Sequence, residues 1–261
     1  MPTLLLRLQG PMQSWGTRSR FDHRDTWPYP TKSGVLGLLA AALGRDREDD
    51  ISDLASLRLG VRVDKRGVLR VDYQTAQGIL PASGKGKVNV QSWRYYLSDA
   101  AFLVGLEGPR DLLQKVQESL LNPRYVLYLG RKGYVPSPPP YLGDGLRDEP
   151  LEEALRGYPY LLAQKPQEDL LLVLEVRASP VTEVRASPVT EVRASPVTEV
   201  RASPVTEASQ VRLVYDQPIA PFAKRRFGVR YVREVLISKE AVPLRSEPAK
   251  ELEDVDQQAG A

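Results

Sequence analysis

The sequence contains no cysteine among its 261 residues, which excludes a disulfide framework and any thiolate metal site and suits a reducing compartment. A single histidine, His23, leaves no His/Cys zinc set. No GxxxxGK[ST], GxGxxG or GxSxG motif is present, and the "GKGK" run at 84–87 is too short for a phosphate-binding loop. No apolar run reaches the roughly 18–20 residues that a membrane span requires. The amino terminus, "MPTLLLRLQG", is broken by Arg7 and Gln9 and reads as a strand rather than a signal peptide. These absences lead to the expectation of a cytoplasmic, non-membrane chain that uses neither metal nor cofactor. With 42% hydrophobic residues it has enough apolar material for a core.

The formal net charge is only +3, but the cations are grouped. Residues 81–96 carry Lys85, Lys87 and Arg94 without an acid, and residues 122–134 carry Arg124, Arg131 and Lys132 without one. Residues 217–233 hold Lys224, Arg225, Arg226, Arg230 and Arg233, also locally unopposed, while acids collect in the tail "EPAKELEDVDQQAGA". Segregation of this kind fits a surface that meets a polyanion; a set of solvated faces is the plainer alternative.

Periodicity and breakers give an ordered series. Strands are expected at 3–9, 57–64, 68–73, 100–108 and 124–130. Helices are expected at 31–44, with Thr31 as N-cap and Gly44 as C-cap, and at 109–120, with Pro109 in the first turn. Without the polar, glycine-rich segment between Tyr73 and Trp93, the order is β-α-β-β-α-β. Further strands are expected at 169–176, 210–216 and 228–238. Between the first two of these, "VRASPVTE" recurs four times without a difference over 176–207. A proline every eight residues opposes regular structure, and the unit is too short for a solenoid repeat, so the array reads as an expanded surface loop.

Local chemistry centres on four places. The loop "GPMQSWGTRSR" sets Gln13 and Trp15 beside Arg18 and Arg20, either a base-stacking surface next to phosphate-seeking charge or a tryptophan packed into the core. "PTKSG" puts Thr31, Lys32, Ser33 and Gly34 in the first turn of a helix, where free N–H groups attract phosphate. The glycines there and at Gly37 imply close approach by RNA or by the sheet beneath. "LGRKG", with Gly130, Arg131, Lys132 and Gly133, is either a basic turn or a backbone cradle. His23, in "RFDHRDTWPYP", could serve as the general base of a metal-free ribonuclease, although a lone loop histidine is more often a polar surface residue.

Four blocks carry a resemblance: "LRLQGPMQSWG", "YPTKSGVLGLLAAALG", "VQSWRYYLSDAAFLVGL" and "NPRYVLYLGRKGYVPSPPPYLG". In order and spacing they resemble the CasD subunits of the type I-E CRISPR complex Cascade, within the repeat-associated superfamily, over most of residues 4–143. The resemblance implies an α+β chain: a ferredoxin-like (RRM-related) domain over 1–145 with a thumb hairpin at about 74–98. It further implies a smaller β-rich C-terminal part, here over 146–245 with the octapeptide array as an insertion the family does not share, and composition adds 246–261 as an acidic, disordered tail. It implies a subunit that is not a nuclease, that holds the 5′ handle of the CRISPR RNA, and that sits beside the backbone-forming CasC and the large CasA subunits, with target DNA an indirect partner. The related type I-C subunit cleaves RNA with tyrosine, lysine and histidine, so a metal-independent endoribonuclease is the alternative. A general single-strand RNA binder fits the charges but leaves the four blocks unexplained. The matching blocks place RNA contacts at Gln13, Trp15, Thr31, Lys32, Ser33, Gly34, Lys85, Lys87, Trp93, Arg94, Gly130, Arg131, Lys132 and Gly133. The charge map adds Arg18, Arg20 and Arg124, and offers Lys224, Arg225 and Arg226 as contacts to RNA or to a neighbouring subunit.

Overall fold

The computed structural model describes residues 1–16, 22–84, 86–176 and 210–244. The octapeptide array after Val176, the acidic tail, and the residues Arg18, Arg20 and Lys85 lie outside the described residues.

Nearly continuous apolar runs form the centre of a seven-stranded antiparallel sheet, as expected of strands covered on both faces. β1 (Thr3–Gln9) and β7 (Ala101–Glu107) run side by side in the middle, paired from Thr3–Glu107 to Gln9–Ala101. β4 (Arg58–Lys65) flanks β7. The sheet continues through β9 (Leu170–Val176), β11 (Phe227–Ile237) and β10 (Gln210–Pro218), giving the order β10-β11-β9-β4-β7-β1-β8. The C-terminal strands therefore extend the first sheet rather than form another. β8 is a two-residue edge, Leu146–Arg147.

Alternation sends side chains to two cores. Leu4, Leu6, Leu8, Phe102, Val104 and Leu106 face α1 (Lys32–Leu43) and α3 (Arg110–Leu121), while Leu5 and Leu103 face α4 (Leu151–Gly157). Helix α1 begins and ends as expected: the Thr31 side chain accepts from the Gly34 N–H, and Gly44 closes the helix at φ 75°. Pro109 is the N-cap of α3 rather than its first helical residue. Neither α4 nor the four-residue helix α2 (Ser52–Ala55) that precedes β4 was expected from the sequence.

A second sheet carries the projecting hairpin. β5 runs from Val68 to Ile79 and β6 from Val88 to Ser98, paired antiparallel, so the expected 68–73 strand continues well beyond Tyr73. Two short strands, β2 (Met12–Gln13) and β3 (His23–Arg24), tie β6 to the body, β3 in parallel register with His23 opposite Trp93 and Arg24 opposite Arg94.

The strand expected at 124–130 is not formed. The N–H groups of Arg124 and Tyr125 donate to the carbonyls of Ala42 and Ala41 at the end of α1, satisfying acceptors a helix terminus leaves open. The free side of β1 is met instead by Ser137, Pro140 and Gly145, whose backbone bonds to Gln9, Arg7 and Leu5 lead into β8. The prolines of "PSPPP" lack the N–H groups a regular ladder needs, so the edge is served by isolated bonds.

Candidate nucleic-acid interface

The start of α1 is occupied by the protein's own acids. Lys32 donates its backbone N–H to Asp216 Oδ2 at 2.7 Å, and its Nζ lies 3.0 Å from both Glu175 oxygens. Arg230 grips Asp216 at 2.5 and 2.8 Å and stands 3.8 Å from Glu175. Lys32 is only 1% exposed. Burial lowers the Lys32 pKa despite the attraction of Glu175. Burial also works to lower that of Arg230, but its bonds to Asp216 and the field of Glu175 outweigh it and leave the pKa raised. The side chains of Thr31 and Lys32, expected to meet RNA, are thus held inside the fold, and a carboxylate already answers the helix dipole. Ser33 and Gly34 remain at the surface of this turn.

Trp15 is 1% exposed, and so belongs to the core rather than to a stacking surface. Its Nε1–H donates to Gln13 Oε1, and Gln13 in turn donates to the carbonyls of Leu8 and Ala100, so every polar atom of the pair is engaged internally. A Cβ on Gly34 would stand 2.8 Å from the Trp15 ring, which makes the ring, not RNA, the close neighbour that requires glycine there.

The "LGRKG" segment is a closed turn. The Leu129 N–H donates to the Tyr134 carbonyl at 2.7 Å, and the Tyr134 N–H donates to the Arg131 carbonyl at 2.8 Å. Gly130 has φ 89°, and a Cβ on it would fall 1.7 Å from the Ser14 carbonyl oxygen. Its role is to let this turn press against the Trp15 loop, correcting the expectation that it clears space for RNA. Around Gly133 the space is open.

Beside the turn runs a cavity of about 420 Å³ lined by Arg24, Asp72, Gln74, Arg94, Arg131, Lys132, Gly133 and Tyr134. A second cavity, of about 410 Å³, shares Arg24 and Arg131 with it and reaches Ser33, Gly34, Gly130, Phe222 and Phe227. Arg131 donates to Tyr134 Oη at 3.0 Å and to the Arg24 carbonyl at 3.1 Å, and its guanidinium lies 5.5 Å from the Tyr134 ring centre. These contacts fix the guanidinium at the junction of the two cavities while leaving further N–H donors for an anion. Arg94 is oriented by Ser92 at 3.1 Å, and Lys132 is exposed.

Other expected contacts are spread out. Trp93 is half-buried on the opposite face of the hairpin from Arg94, and Lys87 is exposed near its tip. Arg124 covers Gly44 at the far end of α1, about 18 Å along the helix from Lys32. Lys224, Arg225 and Arg226 are exposed on the β10–β11 connection, close to the second cavity through Phe222 and Phe227. Arg230 and Arg233 of the same run are opposed after all, by Asp216 and by Glu152 at 2.7 Å. Arg24, which lines both cavities, was missed because Asp22 and Asp25 cancel it in any local charge count. Asp72 gave no signal, since only its cross-strand register with Arg94 brings it here, and Tyr134 enters with the turn that carries Arg131 and Lys132.

Comparison with known proteins identifies the family. The family described as CRISPR-associated protein (Cas_Cas5) matches residues 3–233. The "CRISPR system Cascade subunit CasD" of Escherichia coli (strain K12) is 38% identical over 172 residues, 59% of this chain and 76% of that protein. A solved structure described as "Crystal structure of Cas protein" is 57% identical, with a TM-score of 0.70 over 93% of this chain and 98% of the other. A chain of a "CRISPR RNA-guided surveillance complex" is 28% identical, with a TM-score of 0.66 over 95% of each chain. The chain belongs to the CRISPR-associated Cas5 family.

Proposed function

We propose that this protein is a non-catalytic RNA-binding subunit of a type I-E Cascade-like surveillance complex, acting in the cytoplasm. It would hold the 5′ handle of the CRISPR RNA and help to join the backbone (CasC-type) and large (CasA-type) subunits for recognition of target DNA. One observation carries the reading: four cations from three separate segments, Arg24, Arg94, Arg131 and Lys132, converge on one open groove under the hairpin. Cations gathered in a groove, with no carboxylate ion-paired to them among the described residues, attract a phosphate backbone and release its counterions. The relatives named as a Cascade subunit and a surveillance complex supply the biological setting; they do not favour the endoribonuclease alternative.

The strand order β8-β1-β7-β4, with α1 and α3 packed on one face, supports a ferredoxin-like reading of the N-terminal part, the hairpin being inserted between β4 and β7. On this reading the hairpin is the thumb.

The test is binding of the full chain to labelled repeat RNA across a salt series. Arg131→Ala/Lys132→Ala should weaken binding and reduce the log–log salt slope by about 1.4, at about 0.7 per lost contact to a single strand. An unchanged slope would refute the placement of RNA in this groove.

A further inference from the structure

Three aromatic rings form a row across the base of the hairpin. Tyr73 on β5 is in register with Trp93 on β6, and Trp93 is in register with His23 on β3. The His23 and Trp93 rings are stacked, with centres 4.9 Å apart and planes at 8°, and Tyr73 is tilted against the other side of the row, 5.4 Å from Trp93. Neighbouring residues of a strand point to opposite faces. Arg24, Arg94 and Asp72, the next residues along the three strands, therefore project from the other face, into the cationic groove.

β3 has only two residues and, among the described residues, pairs only with β6, so His23 ends the row at the edge of the ribbon. His23 is exposed, and Tyr73 is 51% exposed. A solvent-facing hydrophobic and aromatic row of this kind has little reason to be ordered by core packing alone. A flat ring at an exposed end presents a face on which another flat ring can stack, and every nucleobase has such a face.

We infer that His23, backed by Trp93 and Tyr73, is a stacking site for one unpaired base of the RNA strand whose phosphates run through the groove on the opposite face. The inference rests on the groove reading proposed above. A nucleotide whose phosphate is held at Arg24 has only to turn its base across the edge of β3 to meet the adjacent His23 ring. The edge strand thus separates the two kinds of contact, charge on one face and stacking on the other, and bends the RNA around it. In this role His23 binds and takes no part in proton transfer.

The experiment uses the full chain with single-stranded repeat RNAs, each carrying one abasic nucleotide, at fixed salt. For the wild-type chain, one position is expected to cost about five- to one-hundredfold in affinity, the effect of one lost base–aromatic stack. In His23→Ala that position should cost less than about twofold, intact RNA should bind correspondingly more weakly, and the salt slope should not change. His23→Phe, which keeps a flat ring and removes both nitrogens, should restore the abasic penalty. Equal abasic profiles for wild type and His23→Ala would overturn the stacking site while leaving the groove standing. A wild-type chain that binds no RNA would overturn both.

Discussion

Lys32 and Arg230 lie buried against Glu175 and Asp216 at the start of α1, whereas Arg24, Arg94, Arg131 and Lys132 line an open groove. In the first group every cation has a carboxylate within 4 Å, and the lowered Lys32 pKa reports the cost of dehydrating a charge. In the second, Arg131 is steered by a tyrosine hydroxyl and a carbonyl, neither of which neutralises it. Buried ion pairs stabilise only while both partners remain; open cations add little to stability and keep their field for a ligand. Basic residues in one stretch of chain can thus serve two purposes, and 217–233 contains both: Arg230 inside, Lys224 to Arg226 outside.

The sharpest way to break this comparison is to remove a member of the buried group. Arg230→Ala leaves Asp216 without its bidentate partner and should cost about 3–5 kcal/mol in denaturant unfolding, with the salt slope of RNA binding by the folded fraction unchanged. A slope that fell with stability intact would place Arg230 in the RNA site instead. Next comes the joint between the groups. Gly130→Ala forces a side chain into a left-handed backbone conformation against the Ser14 carbonyl and should lose on the order of 3 kcal/mol. Because it displaces the neighbouring Arg131, it should weaken RNA binding as well.

Within the open group the pattern should invert. Lys132→Ala and Arg94→Ala should each change unfolding free energy by about 0.5 kcal/mol or less, while lowering the salt slope by about 0.7 apiece. A destabilisation comparable with that of Arg230→Ala would erase the distinction.

The smallest effect concerns pH. The Lys32 pKa in the fold lies below its ordinary 10.5, so the unfolded chain binds more protons in the interval between the two values. Stability from this group should therefore rise with pH across that alkaline interval. Lys32→Met should lose that rise, seen as the difference between the two unfolding profiles. A steeper rise in the variant would contradict the assignment.

Much of the fold was legible because its signals are local. Thr31 and Gly44 bounded α1 by capping chemistry, and "TLLLRLQ" and "AAFLVGL" announced strands covered on both faces. The strand expected at 124–130 failed for a non-local reason: the N–H groups of Arg124 and Tyr125 bond to carbonyls at the end of α1, and that of Leu129 closes the turn onto Tyr134. The candidate site was legible to a similar degree. Arg94, Arg131, Lys132 and Gly133 meet in one groove, but Gln13, Trp15, Thr31 and Lys32 turned inward. Trp15 had two readings in the sequence because an indole beside arginines suits a core or a base equally well; its 1% exposure chose between them.

The basic turn "LGRKG" shows where the boundary falls. By itself the sequence determined that a turn occurs there and that it is cationic, since these follow from residue type and spacing; its resemblance to one of four family blocks added the expectation of an RNA contact. Only the tertiary structure decided that Gly130 faces Ser14, that Arg24 and Arg94 join Arg131 and Lys132 from other strands, and that Lys32 does not. A cation is available to a ligand only if no carboxylate reaches it first, and which carboxylates reach it is set by strand register and burial between residues far apart in the chain.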